Sequence, residues 1–210
     1  VCVDEGARPV RRDVTIGADS VTLVDIIQPN NQVVDTVAAD GDVTVTSAGD
    51  ITGGALAAGG SLVLTADGAI DILQAVSGED AEMALTGADG IKANIVRSRG
   101  PTTLTSDDGD IVINSLSSRD PVSIAANSLD VGTNGPVEFG SLVTDVGGAR
   151  IRATNRLIIN SATIAGTVRL SDTGEHIIIR DLTAAAAEID ANEMLSMTNV
   201  SVVGDLDANA

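Results

Sequence analysis

The sequence predicts an all-β fold, a right-handed parallel β-helix (β-solenoid) with about 20 residues per coil and roughly nine coils. Three observations predict it: an apolar phrase that returns about every 20 residues, a core without large aromatic side chains, and frequent turn residues. The 210 residues include no Trp or Tyr and a single Phe, Phe139. Val, Ile, Leu and Ala must therefore fill the interior, and such side chains suit a narrow core lined by strands.

The repeated phrase reads apolar, any residue, apolar, then a small or polar residue and a turn rich in Gly, Asp or Asn. Its alternation indicates a short strand with one buried face. Five copies start at steps of 19, 21, 19 and 20 residues, at Val43, Leu62, Met83, Thr102 and Val122. Because one coil cannot bury its inward face alone, stacked coils must place equivalent residues in columns. We expect a core column of Val45, Leu64, Leu85, Leu104 and Ile124. A threonine column, Thr46, Thr65, Thr86 and Thr105, is expected beside it.

A second column, at equal spacing of 20 residues, is predicted from Leu56, Val76, Val96 and Leu116. Looser copies of the phrase start upstream at Val14 and downstream at Ala149, Val168 and Ala187. The interval from Val14 to Val43 is 29 residues and that from Val122 to Ala149 is 27, so loops or an extra strand are expected near 22–42 and 131–148. The predicted organisation is an irregular leader over 1–13, one solenoid domain over 14–203 with its clearest repeats in 43–130, and a tail over 204–210.

Two further expectations concern local structure and handedness. The alanine-rich stretch 182–188 has helical propensity, but the repeat places a strand at Ala187–Ile189, so a turn and a strand are predicted there. Parallel crossovers are right-handed in nearly all proteins, and the coil length differs from the 18 residues of hexapeptide β-helices. A right-handed coil is therefore expected.

The phrases Gly41–Thr52 and Gly60–Ile70 resemble the repeats of filamentous-haemagglutinin-type bacterial exoproteins, and residues 41–130 carry the likeness. Members of that family are long β-helices that act in adhesion, biofilm formation or toxin delivery. The resemblance implies a protein secreted by a bacterium or held at its cell surface. It transfers no catalytic residue.

The net charge is −18 and Lys92 is the only lysine. Such a surface cannot neutralise phosphates, which argues against nucleic-acid binding, and anionic membranes are disfavoured for the same reason. No apolar stretch is long enough for a transmembrane helix, so no membrane insertion is expected. Aspartates recur in the turns, and stacked carboxylates could hold calcium through oxygen ligands. The candidates are Asp50, Asp67, Asp89, Asp108 and Asp110, with turn chemistry and solubility as the alternative; no other cofactor is expected.

Arginines concentrate in the last third of the chain, where Arg150 and Arg169 occupy equivalent repeat positions and Glu188 follows one coil later. Ion pairing along this column is one expectation. The other is a partner-binding patch for an acidic glycan or a neighbouring subunit, formed by Arg150, Arg152 and Arg169. Near the amino terminus, Arg8, Arg11 and Arg12 could also meet an acidic partner. The single histidine, His176, is expected in a solvent-exposed turn, since no partner motif for catalysis accompanies it.

We therefore predict that the protein is not an enzyme and serves as a stalk, adhesin segment or fibre that meets host or matrix surfaces. One alternative is a filament subunit that stacks end to end through its open solenoid edges. The other alternative is a β-helix that binds or cleaves polysaccharide. The lack of Trp and Tyr weakens that last alternative, because sugar platforms usually use aromatic side chains.

Overall fold

The computed structural model of the chain describes residues 11–15, 20–24, 32–174 and 176–210. Within these ranges all regular secondary structure is β-strand, which confirms the all-β prediction. The strands are β1 (Arg11–Thr15), β2 (Ser20–Val24), β3 (Gln32–Ala39), β4 (Asp42–Ser47), β5 (Ile51–Ala58), β6 (Leu62–Ala66), β7 (Ile70–Glu79), β8 (Met83–Gly87), β9 (Gly90–Arg99), β10 (Thr102–Thr105), β11 (Asp110–Ser118), β12 (Val122–Ala126), β13 (Leu129–Thr133), β14 (Val137–Thr144), β15 (Ala149–Ala153), β16 (Leu157–Asp172), β17 (His176–Ala191), β18 (Met194–Val202) and β19 (Leu206–Asn209). Among the described residues there is no helix that could cross a membrane.

Parallel pairing of strands about 19 residues apart builds a β-solenoid of about nine turns, as predicted. Each coil contributes three paired stretches, which we call face 1, face 2 and face 3. Face 1 contains β4, β6, β8, β10 and β12. Face 2 contains β13, β15 and β19, and face 3 contains residues 157–159 and 177–179. Longer strands such as β16 and β17 run through all three faces. The right-handed sense of the coil remains a prediction from crossover preference.

The core column of face 1 is confirmed. Its members pair in register from coil to coil, and each is at most 2% exposed. The column extends in both directions, from Leu23 through Leu142, Ala162 and Leu182 to Val200. The threonine column pairs in register beside it and is half-buried.

The second predicted column is wrong at one position. Leu56 pairs with Ala75 rather than with Val76, and Ala75 in turn pairs with Val96. Ala75 is fully buried, whereas Val76 is half-buried. The coil steps are 19 and 21 residues here, so a search at equal spacing passes the core position by one residue.

The two long intervals compare different faces of the solenoid. Val122 lies on face 1 and pairs with Phe139, whereas Ala149 lies on face 2 and pairs with Leu129. In the same way Val14 pairs with Val37 of face 3. The described strands therefore follow one another at steps of 17 to 23 residues, and the expected extra strand is not needed to explain them.

Pairing also reaches beyond the predicted domain bounds. β1 begins at Arg11, inside the stretch assigned to the leader, and β19 lies inside the stretch assigned to the tail. β19 pairs with β17 through backbone groups, which a small polar sequence supplies as well as an apolar one. Residues 1–10 of the predicted leader lie outside the described part of the chain.

Buried hydroxyl groups close the turns that follow the face 3 stretches. Ser77, Ser98 and Ser118 are at most 7% exposed. The Oγ atoms of Ser77 and Ser98 lie 3.0 Å apart, and Ser98 Oγ donates to the carbonyl of Gly100 at 2.8 Å. Ser118 Oγ donates to the carbonyl of Asp120 at 2.7 Å. These bonds satisfy polar groups at the corner, where an apolar side chain would leave the turn carbonyls without donors.

Candidate functional site

The outward side of face 2 carries a row of charges at the carboxyl-terminal end of the solenoid. Its members stack in five consecutive coils, and we call them the charged column: Asp130, Arg150, Arg169, Glu188 and Asp207. Strand alternation places their neighbours Ile151, Leu170 and Ile189 in the core, at most 2% exposed. The buried neighbours therefore fix the spacing of the charged side chains.

Two ion pairs organise this surface. Arg169 donates twice to Glu188, from Nε to Oε2 at 2.9 Å and from Nη2 to Oε1 at 3.2 Å. These bonds and the charge of Glu188 raise the pKa of Arg169. Arg152 reaches diagonally to Asp130, with Nη1 and Oδ1 2.6 Å apart. Ion pairing along the column is thus present, and it engages two of the three predicted arginines.

Arg150 lies between these pairs and is differently placed. Its backbone stacks between Asp130 and Arg169, and its side chain is exposed. Asp130 is engaged by Arg152 and Glu188 by Arg169. Within the described ranges Arg150 has no ion-pair partner, so its guanidinium can meet an external anion.

A shallow depression of about 310 Å³ opens beside Arg150. It is lined by Arg150, Arg169, Leu170, Ser171, Glu188, Ile189, Asp190, Asp207 and Asn209. The polar groups include cationic donors, carboxylate acceptors, a hydroxyl and an amide. Such a set can bind a polyhydroxylated or carboxylate-bearing polymer laid along the column. Sequence reasoning found the arginines here but missed Asp190, Asp207 and Asn209. A search at the coil step from Ser171 would have reached Asp190 and Asn209.

A second depression, of about 500 Å³, lies on face 3 and was not predicted. Arg99, Arg119 and Glu79 are among its lining residues. Arg99 Nη1 and Glu79 Oε1 are 3.0 Å apart, and Arg119 Nη1 lies 3.8 Å from Asp80 Oδ1. The signal was present in the sequence, since Glu79 and Arg99 have opposite charges and lie 20 residues apart. Both arginines are neutralised, so this depression offers less to an anionic ligand than the one beside Arg150.

The five calcium candidates lie in turns but are not gathered into a site. Asp50 is half-buried, and its Oδ1 accepts the backbone N–H of Ala69 at 2.9 Å. The other four are solvent-exposed: Asp67, Asp89, Asp108 and Asp110. Among the residues that the structure describes, no three His, Cys, Asp or Glu side chains lie together as metal ligands. Asp50 acts in turn closure, which is the alternative that the sequence left open.

His176 lies at the start of β17, where its backbone pairs with Met194. Its side chain is half-buried, and Nδ1 lies 3.8 Å from Oε2 of Glu193. That distance is too long for a hydrogen bond. The position is a strand end rather than a free turn, because β17 begins directly at this residue.

The stacked coils and their apolar columns define the chain as a parallel β-solenoid with a charged outer face. Comparison with protein-family models, curated protein sequences and solved structures gives no match. The resemblance to filamentous-haemagglutinin-type repeats therefore reduces to the shared solenoid architecture.

Proposed function

We propose that this protein is a non-catalytic structural rod of a bacterial secreted or cell-surface protein, and that face 2 gives the rod an adhesive surface. The observation that carries the proposal is the unbroken face 1 column from Leu23 to Val200. A continuous column makes each coil depend on its neighbours, which is the property of a stiff spacer. The location is supported by the resemblance of residues 41–130 to bacterial exoprotein repeats.

Rod geometry supports the structural part of the proposal. About nine coils at a spacing of about 4.8 Å give a length of roughly 40 Å. Cross-coil ion pairs such as Lys92 with Asp71 and Arg99 with Glu79 decorate the outside without entering the core. The surface can therefore vary while the core holds the faces at fixed distances.

The depression beside Arg150 supports the adhesive part. A polysaccharide that carries carboxylates could place one carboxylate on Arg150 and its hydroxyl groups on Asp190, Asn209 and Ser171. Arg169 is already held by Glu188, so it is positioned before a ligand arrives. The charged column runs along the rod, which suits a chain-like ligand better than a small molecule.

Binding to immobilised polyuronate and to a neutral polysaccharide tests this proposal. We expect saturable binding of the protein to polyuronate and about tenfold weaker binding for Arg150→Glu, because one charge-assisted contact becomes a repulsion. Arg156→Glu is the matched control, since Arg156 is exposed on the same coil but outside the depression. Circular dichroism would show that both variants keep the fold.

Equal loss in both variants would reduce the effect to net charge, and absence of binding to either polymer would remove the adhesive role. The recovered polymer should also keep its length. Shortened chains would replace adhesion by polysaccharide cleavage. Protease access to the protein on intact cells of its source bacterium would test the surface location.

A further inference from the structure

The last coil of the solenoid is covered on one side only. β18 and β19 pair with β17, and no further strand in the described part of the chain continues the stack. Met197 continues the column of Ile179, yet it is 36% exposed whereas Ile179 is fully buried. Leu206 continues the column of Ala187 and is 47% exposed. These inward positions have the apolar character of the core without its cover.

An open coil of this kind exposes both apolar side chains and backbone groups. Leu195, Val200 and Val202 pack against the core and are only partly buried. The free edges of β18 and β19 present N–H and C=O groups that another parallel strand could pair. The missing cover is therefore another coil, and the charges at the two ends of the described stack indicate which one.

Two columns can be followed from the first described strands to the last. The outward column that contains the charged column begins at Arg11 and ends at Asp207. The core column of face 1 begins at Leu23 and ends at Val200. The outward column thus has opposite charges at its two ends, and the core column has apolar residues at both.

We propose that the last coil binds the first coil of a second copy of this chain, head to tail. In that arrangement the partner copy's register continues the stack: Arg11 follows Asp207, and Leu23 follows Val200. The new neighbours repeat the pattern inside one copy, where Glu188 follows Arg169 and leucines follow valines. Because the contact joins two different surfaces, it leaves a free end at each step and builds a filament.

Arg12 opposes this contact. It occupies the register of Val34, in the column that ends at Ala208, so it holds an inner position next to the joint. A charge at an inner position resists burial. Ala208 is the smallest side chain of that column after Gly53, which leaves space beside it. We therefore expect association that is weak in dilute solution and grows with protein concentration.

The inference rests on the rod architecture of the proposed function but not on polysaccharide binding. Association is measured without polysaccharide, so a rod that stacks but binds no polymer and a rod that binds polymer but does not stack are distinguishable. The measurement is sedimentation velocity of the 210-residue chain over rising concentration, with electron microscopy of the same samples. Particles that lengthen in steps of one rod are expected.

Charge reversal tests the register. Asp207→Arg and Arg11→Asp should each weaken association about fivefold to tenfold, because attraction at the joint becomes repulsion. An equimolar mixture of the two variants should restore association, since each end of one variant then meets an opposite charge on the other. Asp107→Arg, at an exposed turn in mid-rod, and Arg156→Asp are the matched controls and should associate like the unmodified protein.

Three outcomes would overturn the proposal: monomers at every concentration, dimers that grow no further, or single variants whose association equals that of the controls. Failure of the mixture to restore association would reject the Arg11–Asp207 register. Dimers that stop at two copies would indicate tail-to-tail contact of the last coils instead.

Discussion

Leu104 illustrates how tightly a core side chain is held in this solenoid. It is fully buried, with Leu85 below and Ile124 above in the same column. Both neighbours are fixed by their own strands, so the space around a shortened side chain cannot close by a shift of one coil alone. A residue in mid-rod is therefore expected to matter more than its size indicates.

We predict that Leu104→Ala lowers the free energy of unfolding by about 3 kcal/mol, because it removes buried methyl groups and leaves a cavity. Leu73→Ala is the control, since Leu73 is 64% exposed on the outside of face 2. It should change stability by less than about 0.5 kcal/mol. Urea unfolding of both variants measures the difference. Equal effects would mean that the core column does not carry the stability.

The residues of the core show how far sequence reasoning reaches here. Val45, Leu64 and Leu104 were predictable because each stands at the same place in a recurring phrase. Ala75 was not, because the coils alternate between 19 and 21 residues and Val76 looks more apolar at equal spacing. Arg152 and Asp130 were not paired in advance either. Their contact is diagonal, and only the reach of the side chain decides it.

At the scale of elements, the corner turns are packed as closely as the strands. A Cβ atom on Gly78 would lie 1.7 Å from the carbonyl oxygen of Gly59 in the coil below. That oxygen belongs to the backbone of a paired coil and cannot rotate away. Gly78 is therefore required by the approach of two turns.

Gly78→Ala should cost about 2 kcal/mol of unfolding free energy, as is typical of an overpacked position. Gly140→Ala offers a matched control, because its added Cβ would meet Pro121 at an ordinary 3.5 Å. That variant should stay within about 0.5 kcal/mol of the parent. Thermal melts by circular dichroism compare the two. A tolerated Gly78→Ala would show that the turns can separate without loss of the stack.

The aspartates of the turns lead to a prediction about calcium. Asp67, Asp89, Asp108 and Asp110 are exposed, and no metal-binding group of three ligands is found in the described ranges. Calcium should then raise the melting temperature no more than magnesium at equal concentration, since both ions only screen a net charge of −18. Calorimetric titration provides the check. A saturable calcium signal, or a rise in melting temperature specific to calcium, would contradict the geometry.

Faces, unlike columns, could not be assigned from the sequence. The phrase apolar, any residue, apolar occurs on face 1 at Val122 and on face 2 at Ala149, and nothing in the residues themselves distinguishes the two. Only the pairing partners separate them. The period is therefore visible in the sequence, whereas the phase within a coil depends on how the corners bend.

For the whole molecule, stability should vary along the rod because each coil is stabilised by its neighbours. Coils in mid-rod have two neighbours, and their inward residues, such as Ile111 and Leu116, are fully buried. The last coil has one neighbour, and Met197 and Leu206 remain exposed. Local opening should therefore be easiest at β18 and β19.

Hydrogen exchange followed by mass spectrometry tests this gradient. In dilute solution the amides of β18 and β19 should exchange at least about tenfold faster than those of β10 and β12, because they open without breaking the rest of the stack. At high protein concentration, head-to-tail contact should slow exchange in β18 and β19 and leave β10 and β12 unchanged. Asp207→Arg should remove the concentration dependence but keep the gradient. Uniform protection along the rod would mean that the coils unfold as one unit, against the nearest-neighbour interpretation of the fold.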